Sequence, residues 1–108
     1  MNIDCISVSD KRGLERVYVL LNSIKHIKKP DTTISYRLVI EDVDDRVREY
    51  FSDLESDDFK IEYYNTLRFK EHINPPHRNY FYYVRLLFPT YFKDIDKILY
   101  LDTDLVFV

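Results

Sequence analysis

Two aspartates separated by one residue, Asp102 and Asp104, interrupt a strongly apolar stretch near the end of the sequence. Carboxylates at that spacing can both turn toward one cation if the backbone bends there, and their hard oxygen atoms suit Mg²⁺ or Mn²⁺. Such a metal would bridge diphosphate oxygens and neutralise the charge on a departing nucleotide. Because unpaired carboxylates beside a buried strand are costly, the pair predicts a metal site.

The Asp-x-Asp pattern alone is weak evidence. The chain has 13 Asp and shows the pattern three times, whereas chance at that frequency gives roughly one or two. The acids of 42–44 stand at the start of a predicted helix, where the helix dipole favours them. Those of 94–96 fall in a polar loop before a predicted strand. The pair at 102–104 has no such structural explanation, because it lies within the apolar run 98–108.

Arg85 is the second candidate for chemistry. It lies on a predicted helix, 80–91, that is otherwise mostly apolar and aromatic. Two interpretations stay open from the helix pattern alone. The guanidinium can reach solvent from a half-buried helix, or it can contact a phosphate or the aspartate pair.

These candidates need elements to position them, and apolar patterns predict alternating strands and helices. The predicted strands are 3–8, 34–40, 59–64 and 97–101. The apolar face of the first helix is Leu14, Val17, Tyr18, Leu21, Ile24 and Ile27, and that of the second is Val43, Val47, Tyr50, Phe51 and Leu54. This order predicts an α/β fold, with a Rossmann-like, mostly parallel sheet and helices on both faces.

Ligands of open α/β sheets bind beyond the carboxyl ends of the strands. Three segments follow predicted strands and so become candidates: 9–10, the loop 65–79, and 102–104. Gly13 is the one glycine in the sequence. That excludes a glycine-rich dinucleotide fingerprint and a P-loop, which need glycine where the backbone approaches phosphate.

Composition narrows the class of protein. The chain has 108 residues, 45% of them hydrophobic and 32% charged, which predicts a folded chain. Lys plus Arg number 16 against 19 Asp plus Glu, a net charge of −3, so we expect no nucleic-acid partner.

The sequence also predicts where the protein is found. A lone Cys5 and no signal-peptide pattern predict a cytoplasmic protein. No apolar run reaches the roughly 20 residues of a membrane helix, which leaves peripheral membrane attachment open for a full-length protein.

The ordered set formed by Tyr83-Val84-Arg85-Leu86-Leu87 and the segment 92–106 resembles the retaining glycosyltransferases of family 8. These are GT-A-fold enzymes that include glycogenin and bacterial lipopolysaccharide galactosyl- and glucosyltransferases. The resemblance covers nearly the whole chain. It implies transfer of a hexose, galactose or glucose, from a UDP-sugar to a saccharide or glycoconjugate acceptor with retention.

The resemblance also implies roles for the candidates after the last predicted strand. Asp102 and Asp104 match the family's metal-binding pair, which holds Mn²⁺ or Mg²⁺ on the nucleotide diphosphate, and Thr103 lies close to the ribose. Arg85 matches a helix arginine near the donor sugar-phosphate. The catalytic role that the resemblance implies for Arg85 is electrophilic, stabilising the leaving nucleotide together with the metal.

Further roles concern the first predicted strand. Val8, Ser9 and Asp10 match its end, which lines the nucleobase and ribose pocket in the family. Members commonly place a tyrosine shortly after this turn to stack on uracil, whereas this chain has Lys11 and Arg12 there.

Two alternatives stay open. An apolar strand ending at Asp102 also resembles the first motif of haloacid-dehalogenase-type phosphotransferases, in which the first aspartate is a nucleophile beside Mg²⁺. That motif belongs on the first strand of its domain, whereas three strand–helix units precede Asp102 here. The other alternative is a non-catalytic nucleotide-sugar-binding domain that kept the fold and lost turnover.

The family resemblance changes the interpretation of the length. GT-A domains usually need about twice this length or more, and the apolar run 98–108 ends the sequence without a turn or polar cap. We expect residues 1–108 to be the N-terminal, nucleotide-sugar-binding half of a single GT-A domain. Such a half would by itself be inactive as a transferase.

Overall fold

A computed structural model describes residues 1–41, 43–65, 92, 95 and 97–103 of the chain. Strands and helices alternate in the order that the apolar pattern predicts. The strands are β1 (Asn2–Ser9), β2 (Thr33–Ile40), β3 (Phe59–Asn65) and β4 (Leu99–Tyr100), and the helices are α1 (Leu14–Ile27) and α2 (Asp45–Tyr50), with short 3₁₀ turns at Lys11–Gly13 and Ser52–Leu54.

The four strands form one parallel sheet in the order β3-β2-β1-β4. This confirms the predicted parallel α/β fold. The chain steps from β1 to β2 to β3 in one direction and then returns to the far side of β1 for β4. Such crossovers are right-handed in nearly all proteins, which places successive connections on opposite faces when the direction reverses.

One face of the sheet is covered by α1 and α2. Side chains from both helices and from alternate positions of the strands form a continuous apolar core, with Tyr36, Phe51 and Phe59 among its largest fully buried members. The opposite face carries a smaller cluster of Ile6, Val39 and Phe92. Phe92 covers part of this face, and the predicted helix 80–91 lies outside the described residues.

Helix α1 follows its predicted apolar face with two differences. Leu20, which the prediction omits, is fully buried, and Ile27, which it includes, is 48% exposed. The helix ends at Ile27, so that residue lies on the last turn and beyond the edge of the core. Lys28 is the C-cap.

The second helix is shorter than predicted. It ends at Tyr50, and a separate 3₁₀ turn carries Leu54, so one continuous helix through Leu54 is wrong. The Ser52 hydroxyl donates to the Glu49 carbonyl at 2.8 Å. Such side-chain bonds offer the backbone an alternative to the helical ladder. Phe51 and Leu54 are buried all the same, because the tighter turn keeps both on the sheet side.

Strand β4 is also shorter than the predicted 97–101. Its pairing with β1 covers Leu99 and Tyr100, opposite Cys5 and Ile6. Cys5 is free and buried, and burial, followed by the neighbouring Asp4 charge, raises the pKa of its thiol to about 11. Within the ranges the structure describes, no helix has the length and apolar character needed to cross a bilayer.

Candidate functional site

The carboxyl ends of β1 and β4 lie side by side at the point where the strand order reverses. From β1 the chain continues toward β2 on one side, while β4 occupies the other side. In open α/β sheets the crevice at such a switch point is where ligands bind. Neighbouring strands are about 4.8 Å apart, so residues that follow β1 and β4 flank a common crevice.

The β1 side of this crevice contains three of the predicted site residues. Val8 is half-buried and packs on the cluster around Ile6. The Ser9 side chain is buried, and its hydroxyl donates to the Asp10 carbonyl at 2.9 Å. Asp10 caps the following 3₁₀ turn, because its Oδ1 accepts from the Gly13 N–H at 3.0 Å. Asp10 is therefore the N-cap of this turn, a position that aspartate favours.

Asp10 has a second carboxylate oxygen. Its Oδ2 accepts from Arg12 at 3.2 Å, and the Arg12 side chain is 91% exposed. Exposed ion pairs contribute little free energy. A ligand hydroxyl could therefore replace Arg12 at Oδ2 without breaking the cap at Oδ1.

The β4 side contains Asp102 and Thr103. The Leu101 N–H donates to the Ile6 carbonyl at 2.9 Å, and Asp102 follows directly as an exposed residue. Thr103 is half-buried. The structure therefore brings Asp102 and Thr103 to the same edge of the sheet as Val8–Asp10. Asp104 and Arg85 lie outside the described residues.

Lys11 makes two polar contacts at this edge that the sequence pattern did not predict. The Lys11 backbone N–H donates to Glu41 Oε1 at 3.3 Å, and Lys11 Nζ contacts Asp44 Oδ2 at 3.0 Å. These bonds tie the end of β1 to the end of β2. A hydrogen bond from the Val47 backbone N–H, followed by one from Lys11, holds the pKa of Asp44 below its ordinary value. A basic residue after one strand and acids after the next could have signalled this contact.

Ser7 is another residue at this edge whose contact the sequence pattern did not predict. Its buried hydroxyl donates to the Leu101 carbonyl at 2.5 Å. The signal for it was a serine at an inward-facing position of an apolar strand. A buried hydroxyl needs a partner, but which partner it finds depends on the strand order.

The chemistry of Asp102 fits the divalent metal that the sequence predicts. Its exposed carboxylate offers hard oxygen ligands at the mouth of the crevice, as Mg²⁺ and Mn²⁺ require. Over the part of the chain that the structure describes, no group of three or more His, Cys, Asp and Glu side chains could hold a metal ion. Asp104, the second predicted ligand, lies outside the described residues.

Comparison with solved structures identifies the fold of this chain. The bifunctional glycosyltransferase WbbM matches with a TM-score of 0.80 and 18% identity, over 95% of this chain and 19% of that one. The galactosyltransferase LgtC, solved with donor and acceptor sugar analogues, matches with a TM-score of 0.69 and 24% identity, over 94% and 38%. Mouse xyloside xylosyltransferase 1 matches with a TM-score of 0.69 and 14% identity, over 96% and 44%. The fold is that of the GT-A glycosyltransferases.

Sequence comparison then gives the family. The family model described as glycosyl transferase family 8 matches residues 5–108, so the chain belongs to that family. This confirms the resemblance carried by the segments around Arg85 and Asp102. No curated protein sequence matches significantly. The chain spans between 19% and 44% of the length of the three solved structures above.

Proposed function

We propose that this chain is the donor-binding half of a retaining family 8 hexosyltransferase. The enzyme would transfer galactose or glucose from a UDP-sugar to a saccharide or glycoconjugate acceptor. The observation that carries the proposal is the juxtaposition of Val8–Asp10 with Asp102 and Thr103 at the switch point of the sheet. Family membership supports the same reaction class.

The β1 side of the crevice would bind the nucleoside. Val8 supplies an apolar wall against which a base can pack, since its side chain is half-buried at the end of the strand. Asp10 Oδ2 would accept a hydrogen bond from a ribose hydroxyl in place of Arg12. The buried Ser9 side chain would support the turn that holds Asp10, through its bond to the Asp10 carbonyl.

The β4 side would bind the diphosphate. Asp102, together with Asp104, would hold Mn²⁺ or Mg²⁺, and Thr103 would lie beside the ribose. When bound, the metal would supply positive charge to the diphosphate as the nucleotide leaves. Arg85 would add a second positive charge near the donor phosphate and so act as the catalytic residue of this half.

The dehalogenase-type alternative loses its support. Among the described residues Asp102 follows β4, after three other parallel strands, and the family match covers the same segment. A non-catalytic sugar-nucleotide-binding domain predicts the same crevice and differs only in turnover.

Calorimetric titration with UDP tests the proposal. We expect the chain to bind UDP more tightly with Mn²⁺ than with EDTA. Asp102→Asn should remove the manganese-dependent part of the affinity, because the amide loses the charge that holds the cation. The matched control is Asp96→Asn, which alters another Asp-x-Asp of the same chain.

The outcomes separate the alternatives. UDP binding that ignores both Mn²⁺ and Asp102→Asn would overturn the site assignment. Metal-dependent binding by a longer chain that neither transfers sugar nor hydrolyses a UDP-sugar would favour the non-catalytic domain. Phosphatase activity with an aspartyl-phosphate trapped on Asp102 would favour the dehalogenase-type chemistry.

A further inference from the structure

A side-chain hydrogen bond joins β1 to the chain segment that follows β4. The regular pairing of these strands covers Leu99 and Tyr100. One residue later, the Ser7 Oγ donates to the Leu101 carbonyl at 2.5 Å, across 94 positions of sequence. Where the ladder stops, a hydroxyl group therefore takes over the connection between the strands.

This bond lies in the apolar core and is costly to lose. Ser7 is fully buried and Leu101 is 4% exposed. A buried carbonyl left without its donor loses the hydrogen bond and gains no water in exchange. The Ser7 hydroxyl therefore holds the Leu101 carbonyl in one direction.

That direction determines how Asp102 leaves the strand. The Leu101 carbonyl and the Asp102 N–H belong to one planar peptide group. Fixing the carbonyl fixes the whole plane, and with it the position of the Asp102 Cα. The adjacent bond from Leu101 N–H to the Ile6 carbonyl holds the preceding peptide plane, so the chain is fixed on both sides of Leu101.

We propose that Ser7 is a positioning residue for the metal-binding carboxylate of Asp102. It touches neither metal nor donor and acts through the Leu101–Asp102 peptide. This role rests on the proposed function, because it assigns a purpose to the orientation of Asp102. Outer partners that orient metal ligands commonly change metal affinity when they are lost.

Tyr36 provides a matched control on the same face of the sheet. It is opposite Cys5 in the register and fully buried, and its hydroxyl makes no hydrogen bond of standard geometry with the described residues. Burial raises the pKa of this phenol, and the nearby Ser7 hydroxyl opposes part of the rise. Tyr36→Phe thus removes a buried hydroxyl beside Ser7 and leaves the Leu101 carbonyl bonded.

The experiment compares the full chain with Ser7→Ala, Ser7→Thr and Tyr36→Phe by two measurements. Residual dipolar couplings in the metal-free, ligand-free protein report the orientation of the Asp102 N–H. Calorimetry with UDP, in Mn²⁺ and in EDTA, reports the metal-dependent affinity. Thermal melting identifies any variant that is generally destabilised.

We expect Ser7→Ala to change the Asp102 coupling while the couplings of β2 and β3 stay the same. Its manganese-dependent UDP affinity should fall by about tenfold or more, the scale at which second-shell partners act, with the EDTA affinity unchanged. Ser7→Thr keeps the hydroxyl and should restore both values. Tyr36→Phe should match the wild type in both.

Failure of this inference and of the proposed function give different results. An Asp102 coupling that is unchanged in Ser7→Ala overturns the positioning role, whatever the protein binds. If Tyr36→Phe loses as much manganese-dependent UDP affinity as Ser7→Ala, the positioning role is overturned too, because the loss then comes from a general change in the core. A wild type without manganese-dependent UDP binding overturns the proposed function and, with it, the metal part of this role.

Discussion

On one side of β1, pairing with β2 runs from Asn2 to Ser9, and β2 pairs with β3 along nearly its whole length. On the other side, pairing with β4 covers two residues. Leu99 of β4 is 51% exposed, whereas Leu38 of β2 is fully buried. The two flanks of β1 thus differ in the length of their strand pairing: a continuous ladder on the β2 flank, and on the β4 flank a two-residue pairing followed by the hydrogen bonds of Leu101 to Ile6 and Ser7.

The β2 flank forms the larger part of the scaffold, whereas the β4 flank carries part of the candidate site. Regions with few buried apolar contacts open at lower free energy than the core, and ligand sites are drawn from such regions. The candidate donor site lies between the two flanks, with Val8–Asp10 on the strongly held strand and Asp102 on the weakly held one. The proposed site thus joins a side that follows a long strand ladder to a side held by the two hydrogen bonds at Leu101.

The largest expected effect is a difference in the free energy of unfolding between two leucine-to-alanine variants, one on each flank of β1. Leu38→Ala removes a fully buried side chain and should lower the free energy of unfolding by about 2–5 kcal/mol. Leu99→Ala removes a half-exposed one and should cost less than about 1 kcal/mol. Urea denaturation of both variants measures the two values.

Equal losses in the two variants would contradict the comparison. They would mean that the exposed side of Leu99 is covered in the folded protein, so that the β4 flank is as well packed as the β2 flank.

Much of the strongly held flank could be predicted from the sequence. The apolar runs of β1, β2 and β3 gave strand limits within a residue or two of those observed. Their side chains decide the structure, because apolar residues recur at the positions that face the core, as in the alternation of Phe59 and Ile61 with the exposed Lys60 and Glu62 of β3. The exception is α2, where the local Ser52 hydrogen bond outweighs the periodic pattern.

The weakly held flank could be predicted only in outline. The predicted strand ends placed Asp10 and Asp102 at one edge of the sheet, and the structure has both residues there. It could not pair Ser7 with Leu101 or Lys11 with Asp44, because those bonds depend on which strands are neighbours. Apolar periodicity specifies faces and leaves strand order open.

A smaller effect is expected at the turn after β1. A Cβ on Gly13 would lie 2.5 Å from the Ser9 Oγ, while the Gly13 φ of −92° is one that alanine adopts freely. Gly13→Ala should therefore force Ser9 to give up its bond to the Asp10 carbonyl and lower the free energy of unfolding by about 1 kcal/mol. UDP affinity should fall as well, because the same turn holds Asp10.

The double variant Ser9→Ala/Gly13→Ala is the control. With the hydroxyl gone there is no clash, so Gly13→Ala should cost nothing further in the Ser9→Ala background. A double-mutant cycle without coupling would show that the glycine is required for some reason other than space beside Ser9.

The smallest effect is expected at the opposite edge of the sheet, where Lys28 at the end of α1 meets Asp58 just before β3. Lys28 Nζ lies 2.5 Å from Asp58 Oδ2, and the Ser56 hydroxyl donates to Oδ1 at 2.6 Å. The bond from Lys28, followed by that from Ser56, lowers the pKa of Asp58 to about 2, from an ordinary value of 3.8. A lowered carboxyl pKa means that the folded state favours the ionised form. The stabilisation is complete above the ordinary value and is lost as the pH falls through about 2.

Asp58→Asn should therefore reduce stability at neutral pH and match the wild type near pH 2, as followed by urea denaturation across that range. Asp57→Asn, on the neighbouring residue, is the control for a simple change in net charge. Because this pair lies at the amino edge, neither variant should alter UDP affinity. A change in UDP affinity would show that the two edges of the sheet are coupled through α1. It would contradict the view that the residues at the amino edge stabilise the fold without affecting ligand binding at the carboxyl edge.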